Sequence, residues 1–89
     1  MKLTPEQLGH LFDKVSRWVD EYESYHTWYT VSCDPQWNAD RTNVNFIVYG
    51  HSDQGDGADW EENWGIDCEG KIYDSRVIHN SFEDFKNNW

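Results

Sequence analysis

Apolar and polar positions follow two periods along this chain, and the change comes near residue 25. Before it, Leu8, Leu11, Phe12, Val15, Trp18, Val19 and Tyr22 fall at the three-to-four spacing of a helix with one buried stripe. Asp13, Lys14, Arg17, Asp20 and Glu21 take the other side. Thr4 suits the cap of such a helix, Pro5 its first turn, and Gln7 stands three after the cap, as in a capping box. The pattern predicts an amphipathic helix ending near Glu23 or Ser24. Its last turn is acidic, with Asp20, Glu21 and Glu23, although the helix dipole prefers cations there. A local rule broken in this way points to a surface kept acidic for use.

After residue 25 the period becomes two. His26 to Cys33 is rich in aromatic and β-branched residues, with Trp28, Thr30 and Ser32 alternating against Thr27, Tyr29, Val31 and Cys33. Trp28 or Tyr29 faces the helix, but not both, so the other lies on the open face of the sheet. Asp34-Pro35 ends this strand, and a polar loop containing Trp37 runs to Asn43. Val44 to Tyr49 is the next strand, with Val44, Phe46 and Val48 on one face. His51 to Asp59 reads as a loop, and Trp60 to Asn63 is ambiguous. Trp64 to Cys68 reads as a strand, Glu69-Gly70 as a turn, and Lys71 to Ser75 as the returning strand. A three-residue loop with Gly70 left-handed would set Ile66 opposite Ile72; a two-residue loop would set it opposite Tyr73. Ser81 suits the cap of a short last helix carrying Phe82, Phe85 and Trp89. The expected fold is a single α+β domain over 1–89. An N-terminal helix packs on a four-stranded antiparallel sheet, with a short C-terminal helix, in the order α-β-β-β-β-α.

Composition adds order and sign. Six Trp, five Tyr and four Phe let a short chain build a core from few side chains and argue against disorder. Seventeen acids against seven bases give a net charge of −10, beyond what solubility asks of a small domain. That charge repels phosphates and anionic membrane surfaces, so direct binding of nucleic acid or membrane is disfavoured. No apolar run has the length of a membrane span, and the first residues lack the apolar segment of a signal peptide, so a cytoplasmic location is expected. Cys33 and Cys68 are then expected as free thiols. Self-repulsion argues mildly for a monomer, with a weak dimer through the open sheet face as the alternative.

Catalytic and metal patterns are lacking. His10, His26, His51 and His79 are scattered, and no HExxH, CxxC, GxSxG or glycine-rich phosphate loop occurs. His51 and Asp53 could form a base–orienter pair, but no nucleophile accompanies them. The segment 53–59 looks like a calcium loop only at a glance. Setting Gly57 at the turn glycine puts Ser52, Gln54 and Asp56 at the first ligand positions and Asn63 where a bidentate Glu belongs. No enzyme activity, cofactor or metal site is expected.

What stands out is a gap. Between Arg41 and Lys71 there is no lysine or arginine, while Asp53, Asp56, Asp59, Glu61, Glu62, Asp67 and Glu69 crowd together. With no base among them these carboxylates project their field outward, toward a basic partner. Asp20, Glu21 and Glu23 would extend the surface, and Trp60 and Trp37 are its candidate aromatic anchors. In size, charge and aromatic content the chain resembles the small acidic anti-defence proteins of phages and mobile elements, the anti-CRISPR and anti-restriction inhibitors. That resemblance implies binding to a basic, nucleic-acid-handling partner such as a CRISPR effector, with the carboxylates mimicking phosphates in the host cytosol. Two other readings stand beside it. One is an immunity protein that caps a basic, nuclease-type toxin; the ending Asn80-Ser81-Phe82-Glu83-Asp84-Phe85 looks like the endings of such proteins. The other is an acidic interaction module that inhibits nothing.

Overall fold

A computed structural model describes residues 2–24, 26–54 and 57–89. Helix α1 spans Pro5–Glu21. The capping box forms as expected: Thr4 Oγ1 accepts from the Gln7 N–H at 3.2 Å, and Gln7 Oε1 accepts from the Thr4 N–H at 2.9 Å. The helix stops at Glu21, slightly earlier than its periodicity suggests, because Tyr22 is already extended and leads into a strand. That strand is β1, Glu23–Ser24.

The other strands are β2 Thr27–Val31, β3 Gln36–Trp37, β4 Asn43–Ser52, β5 Asp59–Asp67, β6 Ile72–Tyr73 and β7 Ile78–His79. Helix α2, Phe82–Asn88, closes the described chain, with the Ser81 hydroxyl accepting from the Asp84 N–H at 3.1 Å. All the pairing is antiparallel, in the order β1-β2-β4-β5-β6-β7, and β3 shares one edge of β4 with β2. The α+β class stands, and the four expected strands are present as neighbours: β2, β4, β5 and β6. Among the described residues the four-stranded count is corrected to seven, because β1, β3 and β7 have two residues each and two residues carry no readable period. A second correction concerns β5. It starts at Asp59 rather than Trp64, so most of the acidic run is strand, and the loop before it begins only after Ser52. The β5–β6 turn takes the three-residue form, with Ile66 opposite Ile72 and Gly70 at φ +84°.

One face of the sheet is buried under the helices. Leu8, Phe12, Val15 and Val19 of α1 meet Val44, Phe46 and Val48 of β4, Trp64 and Ile66 of β5, Ile72 of β6 and Phe85 of α2. Each such side chain removed from water contributes roughly 1.5–3 kcal/mol. Phe12 meets Phe46 edge-on at 5.0 Å. The last residue, Trp89, is partly buried and packs against this core: it stacks on Phe85 at 5.4 Å and meets Trp64 at 5.0 Å. Cys33 and Cys68 are unpaired thiols, and Cys33 Sγ accepts from the Ile47 N–H.

Both flanks of the sheet are tied by carboxylates. On one flank, Asp20 Oδ1 accepts from the Val31 N–H at 3.0 Å and from the Thr30 hydroxyl at 2.8 Å. On the other, buried Asp74 accepts from the Arg76 and Val77 N–H groups, each at 2.7 Å, and from His79 Nε2 at 2.9 Å. This knot fixes the turn that lets β7 return beside β6. Burial opposes ionisation of Asp74, yet the bonds from His79, Val77 and Arg76 outweigh it and hold its pKa below the ordinary carboxylate value.

Candidate functional site

Alternation along β5 sorts the acidic run onto two faces. Trp64 and Ile66 point into the core, so Trp60 and Glu62 share their side. Asp59, Glu61, Asn63 and Asp67 therefore lie on the open face.

The register builds that face in rows. Glu23, Trp28, His51 and Asp59 run across β1, β2, β4 and β5, and Thr30, Tyr49 and Glu61 form the next row. Trp28 is 38% exposed, and its ring meets the His51 imidazole at 4.4 Å. His51 Nδ1 contacts Asp59, and Asp59 is also hydrogen-bonded to Tyr49. The His51 bond first, and then the Tyr49 bond, lowers the Asp59 pKa; the same bond raises that of Tyr49. Glu61 makes no hydrogen bond or ion pair among the described residues and is exposed.

The remaining candidates are distributed differently. Asp53 pairs with His26 at 2.9 Å, at the tip of the β4–β5 hairpin. The base–orienter pair of His51 with Asp53 does not form, because the register puts Asp59 across from His51. Asp67 is held in its own turn, accepting from the Tyr73 hydroxyl at 2.6 Å and from the Glu69 and Lys71 N–H groups at 3.0 Å. Its bond to Tyr73 raises that phenol's pKa. Glu69 is exposed, with Lys71 Nζ at 4.0 Å. Asp20 is consumed by the β2 tie, while Glu21 and Glu23 are exposed. Asp56 lies outside the described residues.

Neither expected anchor projects as a free aromatic. Trp60 is half-buried, with its ring flat over Gly50; a Cβ on Gly50 would stand 2.4 Å from that ring, which explains the glycine. Its Nε1 donates to Glu62 Oε2 at 3.1 Å, while Trp64 Nε1 donates to Glu62 Oε1 at 2.9 Å. Glu62 thus serves two indoles on the helix side. Trp37 is half-buried against Gly9 of α1, with Arg41 5.4 Å from its ring centre. Among the described residues the exposed aromatic is Trp28, and its signal was the alternation that allowed only one of Trp28 and Tyr29 inward. Tyr29 is the inward one, meeting Trp60 at 5.9 Å, and burial foremost, then Glu62, raises its pKa.

Charge is segregated by secondary structure. Among the described residues no strand contains a lysine or arginine; Lys14, Arg17 and Lys86 lie on helices and Arg41, Lys71 and Arg76 in turns. Among the described residues no three His, Cys, Asp or Glu side chains converge as a metal site. At the end of β5 away from Asp59, Leu3, Leu11, Lys14 and Phe82 line a shallow groove of about 380 Å³. Among the described residues no helix is long and apolar enough to cross a membrane. No family model, curated protein or solved structure matches the chain.

Proposed function

We propose that this chain is a small acidic inhibitor that binds a basic, nucleic-acid-handling protein, such as a CRISPR effector, through the open face of its sheet. The observation that carries the reading is the charge of that face. Glu23, Asp59 and Glu61 share that face with exposed Trp28, and among the described residues no strand carries a lysine or arginine to neutralise them. Asp59 and Glu61 stand roughly 7 Å apart along a fixed strand. An ordered acidic surface of this kind steers a cationic groove toward it and competes with nucleic acid there. Trp28 supplies the aromatic contact that slows dissociation. Inhibition needs neither cofactor nor catalysis.

The test is capture of partners from host lysate at low and moderate salt, followed by competition with DNA or RNA. The expected result is a basic nucleic-acid-binding protein that nucleic acid displaces. A variant carrying Glu23→Gln, Asp59→Asn and Glu61→Gln should fold and lose that partner, mostly through a slower association rate. Unchanged binding by the variant overturns the reading. A single small partner that survives nucleic-acid competition replaces it with toxin immunity.

A further inference from the structure

The edge of β5 that faces away from β4 is covered over part of its length. Strand β6 pairs with it at Gly65 and Ile66, and the Asp67 N–H donates to the Lys71 carbonyl at 3.1 Å. Backbone groups of an antiparallel strand alternate between its two edges. Asp67 and Gly65 turn theirs toward β6, so Asn63, Glu61 and Asp59 turn theirs to the same side. The opposite edge has the complementary parity: the Ser52 N–H of β4 donates to the Ala58 carbonyl at 2.9 Å. Beyond Gly65, among the described residues, no strand or backbone group pairs with the outer edge. The N–H and C=O groups of Asp59, Glu61 and Asn63 thus form a short bare ladder, a template for an added strand.

The flanking side chains select what is added. Asp59 and Glu61 stand on the open side of this edge and Glu62 on the helix side, with no base in the strand. A second copy of β5, or any acidic segment, is repelled. Arg76 is near enough for its charge to act on the Tyr29 phenol, yet it forms no ion pair among the described residues.

The geometry points to an extended, lysine- or arginine-bearing segment of a partner protein that adds as a strand along Asp59–Asn63. This rests on the basic-partner reading above and specifies how the partner is held. Residues of the added strand on the open side meet Asp59 and Glu61. The interleaved residues turn to the helix side, against Trp60 and Glu62. Backbone bonds supply affinity, and cross-strand charge pairs set register.

The probe is a short peptide alternating lysine and threonine, with a glutamate–threonine peptide as control, and the readout is amide hydrogen exchange by NMR at low salt. With the lysine peptide, exchange at the Asp59, Glu61 and Asn63 N–H groups should slow about tenfold, while Trp60 and Glu62, already bonded to β4, change little. Asn63→Pro deletes one outward N–H at constant charge and keeps the β4 pairing, as proline at a strand edge does. It should weaken the peptide about tenfold, and Asn63→Ala should leave binding as it was. If Asn63→Pro fails to fold, exchange in the unaltered protein still decides. Absence of lysine-peptide binding overturns strand addition. So does binding with the three amides unprotected, or equal binding by the proline and alanine variants. The basic-partner reading fails by a different sign: the captured partner is indifferent to the open-face carboxylates.

Discussion

The outer edges of β2 and of the first half of β5 use the same chemical group in opposite ways. The outer edge of β2 is closed by Asp20, a carboxylate delivered from α1 onto the Val31 N–H, and then by pairing with β1. The outer edge of β5 is closed at Gly65 and Ile66 by β6, but from Asp59 to Asn63 it carries its own carboxylates and no described neighbour. At Val31 an acid satisfies an edge-strand donor; along Asp59–Asn63 the acids leave the edge donors free and only discourage unsuitable partners. A carboxylate count therefore says little until it is known whether each oxygen faces inward to the fold or outward from it.

Breaking the cover of the β5 flank should have the largest effect. Asp74→Ala strands a buried histidine and two backbone N–H groups, and its expected cost is about 3–5 kcal/mol, measured by urea unfolding. Protection of the Ile72 and His79 amides should fall with it. The Asp74 pKa is lowered in the fold, so its contribution is present above the unfolded carboxylate value, about 3.9, and is lost as pH falls through the folded value. Stability measured down through that window should therefore drop less steeply in Asp74→Asn than in the unaltered chain.

Next comes the wall behind the bare ladder. Gly50→Val places side-chain atoms where the Trp60 ring lies, and the expected loss is about 1–3 kcal/mol, with a change in tryptophan fluorescence as the ring leaves the Gly50 surface. Opening the β2 flank is milder. Asp20→Ala removes two hydrogen bonds, and because the residue is exposed the expected cost is about 1–2 kcal/mol, with faster exchange at the Val31 N–H. Smallest is Glu61→Gln. It should leave the urea midpoint unchanged while reducing the salt dependence of partner association, since Glu61 has no described partner in the fold. A large stability change in that variant would remove the contrast between the flanks.

The sequence disclosed elements whose signals are local. The Thr4–Gln7 box, the apolar stripe of α1, the Ser81 cap and the Gly70 turn all depend on residues a few positions apart, whereas the register at that turn, Ile66 opposite Ile72 or Tyr73, was left open and is decided only by the fold. The short strands β1, β3 and β7 depend on pairing between distant segments, and nothing in two residues announces it. The start of β5 was hidden for a different reason. Trp60, Glu62 and Trp64 do alternate with Asp59, Glu61 and Asn63, but a glutamate on the inward side reads as polar. Only the two indole N–H groups that converge on Glu62 explain why an acid stands there. The acidic character of the site was legible from the base-free gap. Which acids point outward was not, because one step of register exchanges the faces.

Confinement of every lysine and arginine to helices, turns and the N-terminal tail also fixes how the molecule can be handled. Trypsin has no cleavage point from residue 42 until Lys71, so β4 and β5 emerge in one peptide, residues 42–71. Amine-directed coupling reaches Lys2, Lys14, Lys71 and Lys86 and no strand. A chain tethered to a surface through those amines keeps its strands chemically unmodified, so it can serve as bait without a genetic tag.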